Sequence, residues 1–90
     1  MMVKFKLFAN FREATRQKEV EITVEKGTVS AAIEALAAKY PGLGPLLYQD
    51  GQLKKYVNVL LNGQPVPQSQ LSAGVRDGDE IALFPPVSGG

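Results

Sequence analysis

The chain opens on alternation. In MVKFKLFA, residues 2–9, Val3, Phe5 and Leu7 share one side, while Lys4, Lys6 and Phe8 take the other. That two-residue period predicts a half-buried strand. KEVEITV, residues 18–24, repeats it, with Val20, Ile22 and Val24 set against Glu19, Glu21 and Thr23. The NFREATRQ between them is polar and short and predicts a turn joining two antiparallel strands. Glu25-Lys26-Gly27 then breaks the pattern and the period changes. Val29, Ile33, Leu36, Ala37 and Tyr40 fall on one face of a helix. Thr28 suits its N-cap, and Pro41-Gly42 stops it. No other long helix is supported.

Downstream, Leu43, Leu46 and Leu47 in PGLGPLLYQDGQ predict one turn tucked against the core. Gly42-Leu43-Gly44 is not a phosphate loop, because neither a third glycine nor Lys-Ser/Thr follows and no strand precedes it. Residues 56–61, YVNVLL, predict a third strand, and Asn62-Gly63 a tight turn. Residues 64–66 form a short return strand, held to an edge by Pro65 and Pro67. A short helical turn over 68–73 and an Asp77-Gly78-Asp79 turn lead to a last strand over 80–84, EIALF. One helix covers only one face of a sheet, so the other face is expected to be open. The arrangement that fits is an α+β, two-layer β-grasp. It has a mixed sheet of four to five strands on one main helix over residues 1–84, with first and last strands parallel at the centre, and a flexible tail over 85–90.

Composition narrows the chemistry. Of 90 residues, 44% are apolar and 21% charged, as expected of one folded domain rather than a disordered chain. The sequence has no cysteine and no histidine, which excludes thiolate nucleophiles, disulfides, imidazole bases and the usual zinc ligands. With a net charge of +1 and scattered lysines, it has no general attraction to nucleic acid or membrane. No apolar run is long enough to cross a bilayer, and a cytoplasmic protein is expected. Three adjacent carboxylates, Asp77, Asp79 and Glu80, alternate across a strand start and do not converge as a metal site; Asp77 and Asp79 are expected to shape the turn. Arg12, Glu13 and Arg16 read as a solvated turn.

The end of the sequence is more distinctive: DGDEIALFPPVSGG. Pro85-Pro86 has fixed φ and no N–H, so it ends sheet pairing and projects the last four residues stiffly. Val87, Ser88, Gly89 and Gly90 then form a slim terminus, since glycine lacks a Cβ and enters narrow clefts. This run, together with KLFANFRE, GTVSAAIEAL and YVN, resembles the ubiquitin-like sulfur carriers of the MoaD/ThiS family along essentially the whole chain. Within that family the likeness is greatest to the molybdopterin synthase small subunit, and the small archaeal modifier proteins share its form.

The resemblance implies a function for Gly90. An E1-like adenylating enzyme would transfer AMP from ATP to its carboxylate, and sulfur from a persulfide donor would displace the AMP to leave a thiocarboxylate. No cofactor would be bound by the chain itself. The sulfur would pass, through the synthase large subunit, into molybdopterin. The alternative is a protein modifier, in which target-protein lysines take Gly90 in isopeptide bonds; one chain could serve both roles, including tRNA thiolation. In either case the chain is a co-substrate and not an enzyme, since it offers no nucleophile–base pair. A carrier also needs a docking surface. Alternation leaves Glu80, Ala82 and Phe84 of the last strand on the open face, and Phe8 likewise. The third strand is apolar on both parities; placing Asn58 and Leu60 inward puts Val57, Val59 and Leu61 outward. Phe8, Leu61 and Phe84 then make an apolar patch beside the tail root of Pro85, Pro86, Val87 and Ser88, and the family resemblance implies contact with the activating enzyme there. Asn58 is expected to make a structural hydrogen bond.

Overall fold

The computed structural model describes residues 1–85. Strand β1 (Met2–Leu7) leads through helix α1 (Ala9–Thr15) into β2 (Glu19–Thr23), then the main helix α2 (Val29–Lys39). A 3-10 turn (Pro41–Leu43) and a one-turn helix α3 (Gly44–Leu47) lead to a small hairpin of β3 (Tyr48–Gln49) and β4 (Gln52–Leu53). Strands β5 (Asn58–Leu61) and β6 (Gln64–Pro65), a 3-10 turn (Gln68–Gln70) and β7 (Glu80–Phe84) complete it. The main sheet runs β2-β1-β7-β5-β6. Its central pair, β1 and β7, is parallel, and its other pairs are antiparallel. This is the mixed-sheet β-grasp that the pattern of the chain predicts.

The core lies between the sheet and α2. Val3, Phe5 and Leu7 of β1, Ile81 and Leu83 of β7, and Val29, Ile33 and Leu36 of α2 are all essentially sealed from water. Leu43 and Leu47 close one end of this core. Thr28 Oγ1 accepts from Ala31 N at 3.1 Å, the N-cap bond expected of it. Asn62 and Gly63 carry φ of 49° and 84°, which suits the primed turn that an Asn-Gly hairpin uses.

The fold departs from the sequence reading in three places. Residues 9–15 form a helix rather than a turn, because Phe11 inserts into the core and Thr15 Oγ1 bonds back to the Phe11 carbonyl at 3.1 Å. Gln49 and Gln52 flank an Asp50-Gly51 turn with φ of 54° and 79°, a second hairpin where a plain loop was expected. The third strand begins at Asn58, and its inward face is the opposite of the expected one: Val57 and Val59 are buried while Asn58 is exposed. Burying the valines removes apolar surface from water and spares an amide the loss of its hydration.

Candidate functional site

Because α2 occupies one face of the sheet, the alternate side chains of β1, β7 and β5 share the other. Pairing places Lys4 beside Glu80, Lys6 beside Ala82, Ala82 beside Leu60, and Phe84 beside Asn58. This open face has two characters. At one end Lys4 Nζ lies 3.9 Å from Glu19 Oε2 and Lys6 Nζ 3.6 Å from Glu80 Oε1, both solvent-exposed pairs that add little to stability. At the other end the rings of Phe8 and Phe84 stack with centroids 4.2 Å apart and planes 10° from parallel.

The stack follows from the central register. Leu7 pairs with Leu83, so one step further along the parallel strands brings Phe8 to Phe84. Phe8 continues β1 in extended conformation, with φ −127° and ψ 155°, and its carbonyl accepts from Phe11 N at 3.1 Å. Helix α1, anchored by buried Phe11, therefore holds Phe8 at the edge of the open face. Phe8 remains 38% exposed, and Pro85 follows Phe84 directly, half-buried. An aromatic pair, with Phe8 exposed and Phe84 half-buried, is thus fixed where the chain leaves the sheet.

Leu61 does not join this pair. It lies opposite buried Ile81 and packs against the core, so Leu60, beside Ala82, takes the open-face position. The signal for this was available: Asn58 and Leu60 share a parity, and a lone amide belongs toward water. Asn58 itself has no side-chain hydrogen bond among the described residues, and Asn62 makes the structural bonds instead. Its Nδ2 donates to Asp79 Oδ1 at 3.0 Å, and its Oδ1 accepts from Glu80 N at 2.9 Å. The Asn62 hydrogen bond, aided by Arg76 N, holds the Asp79 carboxyl below its usual range. Asp77 Oδ1 accepts from Met2 N at 2.7 Å, so both aspartates shape the turn before β7. Pro86, Val87, Ser88, Gly89 and Gly90, and with them the expected flexible tail, lie outside the described residues.

The described residues hold no group of three His, Cys, Asp or Glu side chains able to bind a metal, and no helix long and apolar enough to cross a membrane. The Tyr48 phenol is pushed up to about 12 by burial and then by the Glu34 carboxylate. It sits far along the chain from the aromatic pair, beside α2. What the open face offers is an aromatic patch beside Pro85.

Residues 5–90 match the model of the ThiS family. The chain is 39% identical to small archaeal modifier protein 3 of Haloferax volcanii, with all of both chains covered. It is 35% identical to the molybdopterin synthase sulfur carrier subunit of Escherichia coli, over 99% of this chain and 100% of that one. The crystal structure of a Haloferax volcanii small archaeal modifier, 38% identical, superposes with a TM-score of 0.91 over 100% of both chains. The sequence reading placed the molybdopterin synthase subunit nearest; the archaeal modifiers match more strongly.

Proposed function

The chain belongs to the ThiS family of ubiquitin-like sulfur carriers and modifiers, and we propose that it acts as a protein modifier, activated at Gly90 and joined to target lysines. Its end-to-end likeness to an archaeal modifier protein is the observation that carries this reading. Proteins of this family are carriers and modifiers, not catalysts, so the chemistry is done to the chain.

A carboxylate is a poor electrophile because its leaving group would be oxide. In the proposed first step a Gly90 carboxylate oxygen attacks the α-phosphorus of ATP held by an E1-like enzyme, and pyrophosphate leaves. The neutral amine of a target lysine then attacks the acyl-adenylate carbonyl, AMP departs with the C–O electron pair, and the amine loses a proton to give an isopeptide bond. With neither cysteine nor histidine, the chain offers no thiol or imidazole to this chemistry, and in the proposed route ATP binding and proton handling belong to the partner. Its own contributions are Phe8 and Phe84 as a docking contact, Pro85 and Pro86 as a stiff exit, and Gly89-Gly90 as a slim terminus.

A second reading rests on the likeness to the Escherichia coli sulfur carrier subunit. The terminal sulfur of a persulfide donor attacks the same adenylate and displaces AMP. A second thiol on the donor then cleaves the resulting acyl disulfide, leaving a donor disulfide and a thiocarboxylate on Gly90. That thiocarboxylate delivers sulfur to a pterin, through a synthase large subunit, or to tRNA. The intact mass of the protein purified with its native C-terminus from its own cells, beside a Gly90-deleted control, separates these readings. Gly90-dependent adducts on lysines of other proteins are expected of a modifier. Replacement of one terminal oxygen by sulfur, absent from the control, would make it a sulfur carrier. If neither form arose with an E1-like enzyme and ATP supplied, activation at Gly90 would be wrong.

A further inference from the structure

Beside the open face the chain encloses a groove of about 670 Å³ that the aromatic pair does not account for. Its origin is the shortness of β6. Pro65 and Pro67 lack the N–H needed to extend the ladder, and after Val66 N donates to the Val59 carbonyl at 2.8 Å the chain leaves β5. The start of β5 is left without a neighbour there, and Leu60, Pro65, Val66 and Leu71 line the gap. Phe84 and Pro85 border it, so the groove reaches the point where the tail leaves the sheet.

Its walls are fixed in advance. Gln68 Nε2 donates to the Leu53 carbonyl at 2.7 Å, tying the segment after β6 to the end of β4. Lys54 N donates to the Leu47 carbonyl at 2.8 Å, and Val57 N to the Lys54 carbonyl at 3.2 Å, which sets the turn carrying Lys54 and Lys55. Among the described residues those two lysines are the only charged ones lining the groove, and neither takes part in the two ion pairs found there. A preformed apolar trough with charge of one sign selects its occupant by complementarity.

We propose that this groove receives an extended acidic–apolar segment of the activating enzyme. An apolar side chain would rest on Val66 and Leu71, with carboxylates facing Lys54 and Lys55. The inference rests on activation at Gly90, and it adds a grip on the root of the tail that lies beside the open-face aromatics. A uniformly polar or phosphate ligand would leave the apolar lining without a partner.

The test is ATP–pyrophosphate exchange by the E1-like enzyme of the same organism, with the full chain as the varied substrate. Lys54→Glu/Lys55→Glu should raise KM about tenfold, equivalent to about 1.4 kcal/mol of lost binding, and leave kcat unchanged. Lys54→Gln/Lys55→Gln, which removes attraction without adding repulsion, should fall between this variant and wild type. Lys26→Glu/Lys39→Glu makes the same change in net charge at exposed positions outside the groove and away from Phe8, and should shift KM by less than about twofold. Equal KM values for the groove and control variants would overturn the proposal, whether both stay at the wild-type value or both rise. Wild-type self-association in sedimentation, lost in Lys54→Glu/Lys55→Glu, would assign the groove to a second copy and also overturn it. Exchange by wild type with an unchanged groove variant would remove the groove alone; no exchange even by wild type would remove activation at Gly90, and the groove's role with it.

Discussion

The Phe8–Phe84 stack makes a quantitative claim about the tail root. Phe8 is 38% exposed, so about three-fifths of its side chain is covered. At roughly 200 Å² for a phenylalanine, that is about 120 Å², worth up to about 3 kcal/mol at 25 cal/mol per Å². Alanine keeps part of this, so Phe8→Ala should cost about 2 kcal/mol, and Phe84→Ala, also half-buried, a similar amount. If the rings hold one another, the double variant loses less than the sum of the singles. The expected coupling is about 1 kcal/mol, within the usual range for aromatic pairs beyond their burial. Urea unfolding of the four proteins measures it, provided the denaturant slope stays constant across the set. Phe8→Leu is the useful fifth protein, since it keeps most of the apolar cover and loses the stack. Additivity within about 0.3 kcal/mol would refute the claim, leaving two independently seated rings and no rigid aromatic platform at the exit of the chain.

Further outcomes come from the geometry at Phe11 and Asn62. Phe11 is 1% exposed, so Phe11→Ala should cost about 3–5 kcal/mol, a large share of the stability of a domain this size, read as a lowered urea midpoint or failure to fold. Asn62→Ala removes two hydrogen bonds at a residue with φ of 49°, and should cost about 2 kcal/mol near neutral pH; Asn62→Gly, free of the backbone strain, should cost less. The Asp79 carboxyl should then titrate higher by NMR, because its principal hydrogen-bond donor is gone. The sign of the pH effect is set by that depressed carboxyl. Its contribution is fully present above the unfolded value near 3.8 and is lost as pH falls through the lower folded value, so the wild-type acid limb should be steeper than that of Asn62→Ala.

How far the sequence carried depended on whether one residue could settle a choice. β1, β2 and β7 alternate cleanly, so their inward faces were legible residue by residue, and Thr28 and Asn62-Gly63 marked the cap of α2 and the turn between β5 and β6. Helix α1 was not legible, because one inserted ring, Phe11, leaves no period to read. The Asp50-Gly51 hairpin carried a turn signal, but its arms are two residues each, too short to alternate. VNVLL was ambiguous in a different way: both parities are apolar, and only the cost of burying the Asn58 amide decides between them. That single inversion exchanged Leu61 for Leu60 in the candidate patch while leaving Phe8 and Phe84 together.

The sheet order also says why a tail would be placed on β7 rather than on an edge strand. β7 pairs with β1 on one side and β5 on the other, so the strand before the tail is fixed by residues from the start of the chain and from its interior. The parallel β1–β7 pair is a contact of very long sequence separation, and such pairings form only after a large loss of chain entropy. Phe8 and Phe84 meet only when that pair is in register, and the groove at Pro85 closes only when β5 and β6 have joined the same sheet. An enzyme that reads the stack or the groove before taking Gly90 is therefore reading the completed fold. A partly folded chain would carry the same terminal glycines and lack both surfaces, so selection for the folded chain would come from the site itself, with no separate proofreading step.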